Sequence, residues 1–350
     1  MLDLLFVIGL GLLLGGLLWW GFRTLPGERW QILATIPLSK NSNGSWRGIN
    51  ITWYGLLSAT AYVLACALLF VLTGSIGVPP LITFSIIVLV LAAAMPASRI
   101  MARIVEKKKH TFTVAGAFFV AVLIAPPVLW LVNLTIAPAL HTQVPFLPIM
   151  ATMAIAYAIG EGIGRLACIS FGCCYGKPVA DTHPLLARLF TRWNFIFFGD
   201  TKKIAYASHL QGVPVVPVQA ITAILYVGTG LLAVYLFLQS YFILAFVITM
   251  VVTQLWRIIS ELMRADYRGA GKLSAYQLMS FVATAYALII GFWLTDIPLQ
   301  PASISHGLAT LWDPGMLLFL QLLWIVSFVY TGRSSVTEAR MEIQLCSDRI

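Results

Sequence analysis

FLPIMATMAIAYAIGEGIGRLACISFG, residues 146–172, is an apolar run of spanning length whose charges are Glu161 and Arg165. A helix needs roughly 20 apolar residues to cross the hydrocarbon core of a bilayer. An ionised side chain at mid-bilayer costs at least about 2.5–3.5 kcal/mol, so these two charges are either paired or functional. Eight further runs of similar length lie at about 2–22, 51–74, 79–98, 112–138, 215–237, 241–262, 275–296 and 314–332. The composition agrees: 60% hydrophobic, 10% charged and a mean hydropathy of +0.90, where soluble chains carry about 25% charged residues. Soluble domains, disorder, collagen and coiled coils are excluded by these values. The chain reads as all-α, a polytopic membrane bundle of about nine transmembrane helices.

The first run has no basic leader, carries Asp3 and ends in Trp19, Trp20 and Arg23, an interfacial anchor pattern. It is read as a retained helix and not as a cleaved signal. With nine spans the connections alternate between two faces. Every Lys and Arg falls on one of them or in a helix end approaching it, among them Arg47, Lys107, Lys108, Lys109, Lys202, Arg268 and Arg333. The other face carries only Asp3, Asp296 and Asp313. Positive charge marks the cytoplasmic side, which puts the cation-rich face inside. Charge dispersed in short loops also argues against nucleic acid as the partner of the net +9 chain.

The connection 173–214 is the long one. Residues 185–195 alternate apolar side chains with Arg188 and Arg192, which predicts a short helix in the headgroup layer. Five cysteines in no scaffold-like spacing imply no disulfide framework. Cys66 and Cys168 read as packing residues within apolar runs. Cys173 and Cys174 are adjacent, a weak metal signal because two further ligands would have to come from elsewhere. No metal and no cofactor is expected.

Two charged constellations remain. Glu161 and Arg165 are four residues apart, and Arg257, Glu261 and Arg264 occupy i, i+4 and i+7 near the end of the seventh run. Four-residue spacing stacks opposite charges on one helix face, so Glu161 is expected to pair with Arg165 and Glu261 to hold Arg257. Arg165 lies roughly 11 Å below the cation-rich end of its helix. An ion pair that merely locks two helices is one reading. The other is that Arg165 and Arg257 grip an anion, since guanidinium holds phosphate through two parallel hydrogen bonds. At headgroup depth that anion is a phospholipid phosphate. After Arg165 comes Gly172-Cys173-Cys174-Tyr175-Gly176-Lys177-Pro178, where glycines flanking an aromatic at a helix end read as a sharp turn that lets backbone approach a ligand.

In four stretches the chain resembles the bacterial prolipoprotein diacylglyceryl transferases. Thr52-Trp53-Tyr54-Gly55-Leu56-Leu57 looks like the family's WYGL element. Gly164-Arg165-Leu166 through Gly172–Pro178 looks like its signature in the CCYGKP form. Arg257–Arg264 with Asp266, Arg268 and Gly269 looks like its RxxxExxR element, and Leu273-Ser274-Ala275-Tyr276-Gln277 resembles its LSxxQ element. The resemblance covers about residues 50–290. It divides the chain into an extra N-terminal helix and loop (1–50), a transferase-like core (51–296) and an extra C-terminal helix with a basic tail (297–350).

The resemblance implies transfer of a diacylglyceryl group from phosphatidylglycerol, or another anionic glycerophospholipid, to the thiol of a prolipoprotein cysteine in the bacterial inner (cytoplasmic) membrane. Arg165, Arg257, Glu261 and Tyr54 would be the catalytic residues. Arg264, Gln219, Gly172, Gly176, Lys177 and Gln277 would contact substrate. The family's HGGL and HPTQLYE elements fall at Thr113–Ala117 and Val216–Thr222, without their histidines. Candidate bases are therefore Glu161, His110 and His209. The family reacts on the outer membrane face, whereas the cations here place the same end of the core inside. A relative that serves a cytoplasmic acceptor, or a lipid-binding or transport protein that keeps the arginines, are the other readings of the same residues.

Overall fold

The computed structural model describes residues 1–29, 31–105, 114–265, 273–293 and 301–341. The elements are α1 (Leu2–Thr24), a hairpin of β1 (Ile32–Lys40) and β2 (Trp46–Thr52), α2 (Trp53–Ser75), α3 (Pro80–Val105), α4 (Val114–Ala139) and α5 (Phe146–Phe171). After them come α6 (Pro184–Phe190), β3 (Phe195–Ile196), α7 (Lys203–Ser208), β4 (Pro214–Val215), α8 (Val218–Leu238), α9 (Phe242–Met263), α10 (Ala275–Trp293), α11 (Ile304–Leu311), α12 (Pro314–Gly332) and β5 (Arg333–Met341). Among the described residues nine helices are long and apolar enough to cross a membrane, one in each run predicted from the sequence. Helix is the form that satisfies every backbone group within its own segment where lipid offers no partner.

Helix α5 is the axis of the bundle and packs against α2, α8 and α9. Its Gly-Glu-Gly-Ile-Gly-Arg stretch explains how. A Cβ on Gly160 would press on Ala65 of α2 at 2.8 Å, and one on Gly162 on Val227 of α8 at 2.8 Å. Small residues on two sides of one helix let both neighbours approach closely, the usual device for association where no hydrophobic effect is left to drive it.

Two connections differ from the sequence reading. Residues 32–50, read as loop, form with Ile51 and Thr52 an antiparallel hairpin whose strand β2 also pairs with β5, so the sheet order is β1-β2-β5. The segment before α2 and the segment after α12 thus join each other in one sheet. Helix α12 packs along α2, and Thr52 Oγ1 donates to Gly332 O at 3.0 Å. The predicted headgroup-layer helix over 185–195 is shorter than expected. Helix α6 stops at Phe190, Asn194 Nδ2 caps the Phe190 and Thr191 carbonyls at 3.0 Å, and Phe195–Ile196 pair with Pro214–Val215. Leu185, Leu189 and Trp193 remain exposed along this segment, as an interfacial element requires.

The long connection is fastened to α1 by a buried lysine. Lys202 Nζ donates to Leu25 O at 2.6 Å and Pro26 O at 3.3 Å, beside the Phe197 ring. Burial lowers its pKa from 10.5 to about 8, opposed by the charge of Glu28. The folded chain therefore binds fewer protons than the unfolded chain between those two values, and stability rises with pH across that window. Below pH 8 the charged form carries the full desolvation penalty, about 3 kcal/mol at 1.36 kcal/mol per unit. Unfolding midpoints in detergent should climb from pH 8 to 10.5 in the wild type, and Lys202→Met should lose that climb. A wild-type profile flat over the same range would refute the assignment.

Candidate functional site

The cation-rich ends of α5, α8 and α9 converge on one cleft. Arg165 lies six residues before the end of α5, about 9 Å along the axis. Arg257, Ser260 and Glu261 form the inner stripe of α9, continued by Arg264 just past its end, and Gln219, Thr222 and Tyr226 form that of α8. These stripes, with Arg165 and Cys174, enclose about 20 Å³, room for roughly one water. A phosphate entering here has to swing the guanidinium arms apart.

The charges are partly paired. Arg165 forms an ion pair with Glu161 on its own helix. Glu261, expected to hold Arg257, instead lies 3.9 Å from Arg264. Arg257 is turned the other way, across to α5, where its Nη1 donates to Tyr157 Oη at 3.1 Å. The Tyr157 ring is itself fixed by stacking on Phe118, with centroids 3.8 Å apart. Among the described residues, three guanidiniums stand here with two carboxylates. Arg165 Nε, Arg257 Nε and Gln219 Oε1 are buried with no hydrogen-bond partner among the described residues. A buried polar group left unmatched costs about 1–3 kcal/mol, more when charged, and two unmatched donors on side chains that line one cleft are what an anion would satisfy.

The turn after α5 forms the cleft wall. Gly172 takes the left-handed conformation at φ 66°, and Cys173 N returns to Cys168 O at 3.0 Å, closing the helix. Gln219 Nε2 donates to Cys173 O at 2.9 Å. Lys177 N donates to Met263 O, Ala265 N to Tyr175 O and Val216 N to Lys177 O, at 2.9–3.1 Å. Residues 175–177 thus run between the end of α9 and the strand before α8, with Gly176 bridged to Arg264. The Lys177 side chain is exposed and is not among the residues that line the cleft.

The same turn gathers three thiols. The Sγ atoms of Cys168, Cys173 and Cys174 all lie within 4.8 Å of one another, each half-buried. Hydrogen bonds from Cys168 and Cys173 hold the Cys174 thiol well below its ordinary value against the effect of burial, helped by Arg264 and Arg165. Tyr54, on α2, stands beside this cluster and packs edge-on against Phe171 at 5.7 Å; it is not part of the arginine cleft.

Other expected residues are not brought together. His209 caps α7 in the left-handed conformation, exposed and away from the cleft lining. His110 lies outside the described residues. Glu161 is committed to Arg165. Gln277, expected to contact substrate, is engaged in structural hydrogen bonds. It forms a capping box with Ser274 at the start of α10, and its Nε2 donates to Ile258 O at 3.1 Å, tying α10 to α9. The reading from sequence missed Tyr157 and Tyr226. Tyr157 precedes Glu161 and Arg165 at four-residue steps, and Tyr226 follows Gln219 by seven, so both share a helix face with a chosen residue.

A family model described as prolipoprotein diacylglyceryl transferase matches residues 45–293. Among curated proteins, a search with the sequence finds no match.

Proposed function

The chain belongs to the prolipoprotein diacylglyceryl transferase family, and from that premise we propose that it moves the diacylglyceryl group of phosphatidylglycerol onto a lipoprotein cysteine thiol in the bacterial inner membrane. The observation that carries this reading is the pair of buried, unsatisfied Nε donors on Arg165 and Arg257, side chains from separate helices that line one cleft. Cleaving the glyceryl C–O bond leaves a second negative charge on phosphate. Donors fixed in a water-poor site stabilise such charge far better than water does. Arg264 is the second clamp on the same phosphate, held by Glu261 and by the backbone bridge to Gly176. Gln219 Oε1 is free to accept from the headgroup glycerol or from the acceptor backbone.

The distribution of cations favours a second reading, in which the same donor chemistry serves an acceptor on the cytoplasmic side. Purified protein in micelles of headgroup-labelled phosphatidylglycerol, given a cysteine-bearing lipoprotein peptide, should release glycerol phosphate and lipidate the peptide. The gene should also rescue cells depleted of their transferase. Release without rescue, with a reporter fused after Ile350 found in the cytoplasm, selects the second reading. No release from folded, inserted protein defeats both.

A further inference from the structure

We propose that Cys168, Cys173 and Cys174 form a tris-thiolate zinc site whose fourth position takes the thiol to be lipidated. The metal site stands on its own geometry; the role of its fourth position rests on the transferase reading.

Tetrahedral zinc with Zn–S bonds of about 2.3 Å needs sulfurs about 3.8 Å apart. Sγ atoms already within 4.8 Å of one another reach that spacing by small side-chain rotations. The backbone is bent to bring them there. Gly172 reverses the chain, so that residues 173 and 174 return over the last turn of α5. Cys174 itself holds φ at +58°, a conformation that costs a residue with a Cβ about 1–2 kcal/mol. Such strain persists where surrounding structure enforces it, and it clusters at ligand sites. Here it places the third thiol on the wall of the arginine cleft.

Charge fits as well. Three thiolates and Zn²⁺ sum to −1, and Arg165 stands over the cluster with Nη1 3.9 Å from Cys168 Sγ. All three cysteines are half-buried, so the metal would be shielded yet reachable. Three protein ligands with one open position is the arrangement of zinc sites that do chemistry.

The reaction has use for such an ion. A free thiol is only a few per cent ionised near neutral pH, and the described candidate bases are an engaged Glu161 and a His209 that does not line the cleft. A thiol that coordinates zinc is deprotonated outright, its proton passing to water. The zinc-held sulfur then attacks the terminal glyceryl carbon of the lipid. One C–S bond forms and one C–O bond breaks, and the electron pair of that bond leaves on glycerol phosphate between Arg165 and Arg257. The thioether product is a poorer ligand and departs.

The test uses full-length protein purified in detergent with a phosphine reductant and no chelator. Elemental analysis should find one zinc per chain. Cobalt(II) replacing it should give an intense thiolate-to-metal charge-transfer band. Cys168→Ser and Cys174→Ser should each weaken binding by more than the roughly 10–100-fold that outer-shell changes cost, while Cys66→Ser, on α2, should change nothing. A cysteine peptide should intensify the band as a fourth thiolate joins, and its serine analogue should not. Folded wild type with neither zinc nor a charge-transfer band overturns the site, as does uptake of copper(I) alone or a disulfide within the cluster. A band indifferent to the cysteine peptide overturns the fourth position. Full transfer by zinc-stripped protein overturns the catalytic role and leaves the transferase reading intact. Zinc and peptide bound with no phosphatidylglycerol turnover sinks the transferase reading and leaves the metal site.

Discussion

Arg257→Ala is expected to cut glycerol phosphate release by about 10²–10³-fold, the loss seen when one fixed donor to a developing oxyanion is removed, while the protein still folds and inserts. Little in the structure depends on this side chain: its partner is the Tyr157 hydroxyl, which keeps a route to water in the emptied cleft. Arg165→Ala should lose as much activity but behave differently in stability, because it strands Glu161, 9% exposed, without its cation. Breaking a buried pair from one side costs about 3–5 kcal/mol. The double change Glu161→Gln with Arg165→Ala should restore most of that stability and none of the turnover. Lysine at either position keeps the charge but loses the planar fork that grips two phosphate oxygens, so partial activity is expected. The combined alanine mutant should be little worse than either single one, as with groups that act as a unit. Near wild-type release from Arg257→Ala would refute the headgroup role.

The spans were legible because their signal is redundant. Each run is long and apolar, most of their ends are marked by charge or proline, and lipid leaves the backbone no alternative to helix. The hairpin over 32–52 was not, since β1 carries Pro37, Ser39 and Lys40 and faces solvent for most of its length, without the alternation of a half-buried strand. Its turn was in view all the same. Asn41-Ser42-Asn43-Gly44 places Gly44 at φ 86°, and Asn-Gly between two extended runs is the strongest short hairpin signal. In the cleft, i,i+4 spacing gave the Glu161–Arg165 pair directly. It failed for Glu261 because spacing fixes which side chains share a helix face, not where a long side chain turns. Arg257 has a phenol on the neighbouring helix to reach, and that partner lies a hundred residues away in sequence. The third thiol was hidden for a related reason. Cys168 and the 173–174 pair are neighbours only after Gly172 folds the chain back, a tertiary fact written in a single glycine.

Gly176→Ala should lower activity by about 10²-fold and destabilise the protein by about 1–3 kcal/mol, although residue 176 has no side chain of its own. A Cβ there would drive into the Val216 carbonyl. A backbone atom cannot rotate aside, so Val216 with the strand β4 before it or the segment 175–177 must move, the ordinary cost of overpacking. Either movement disturbs the cleft. Val216 leads into α8, whose Gln219 is set against Cys173 O, and Gly176 is bridged to Arg264. Misplacing a substrate-holding group by about 1 Å is worth about 10²-fold in rate. Gly228→Ala on the same helix α8 is the control, because a Cβ at that position meets nothing within 4 Å; it should leave turnover unchanged and raise helix stability slightly. The two variants differ by one methyl group each. A large loss in the first with none in the second would locate the effect in the geometry that the CCYGKP turn imposes on Arg264 and Gln219, and equal behaviour of the two would show that this turn does not position the cleft.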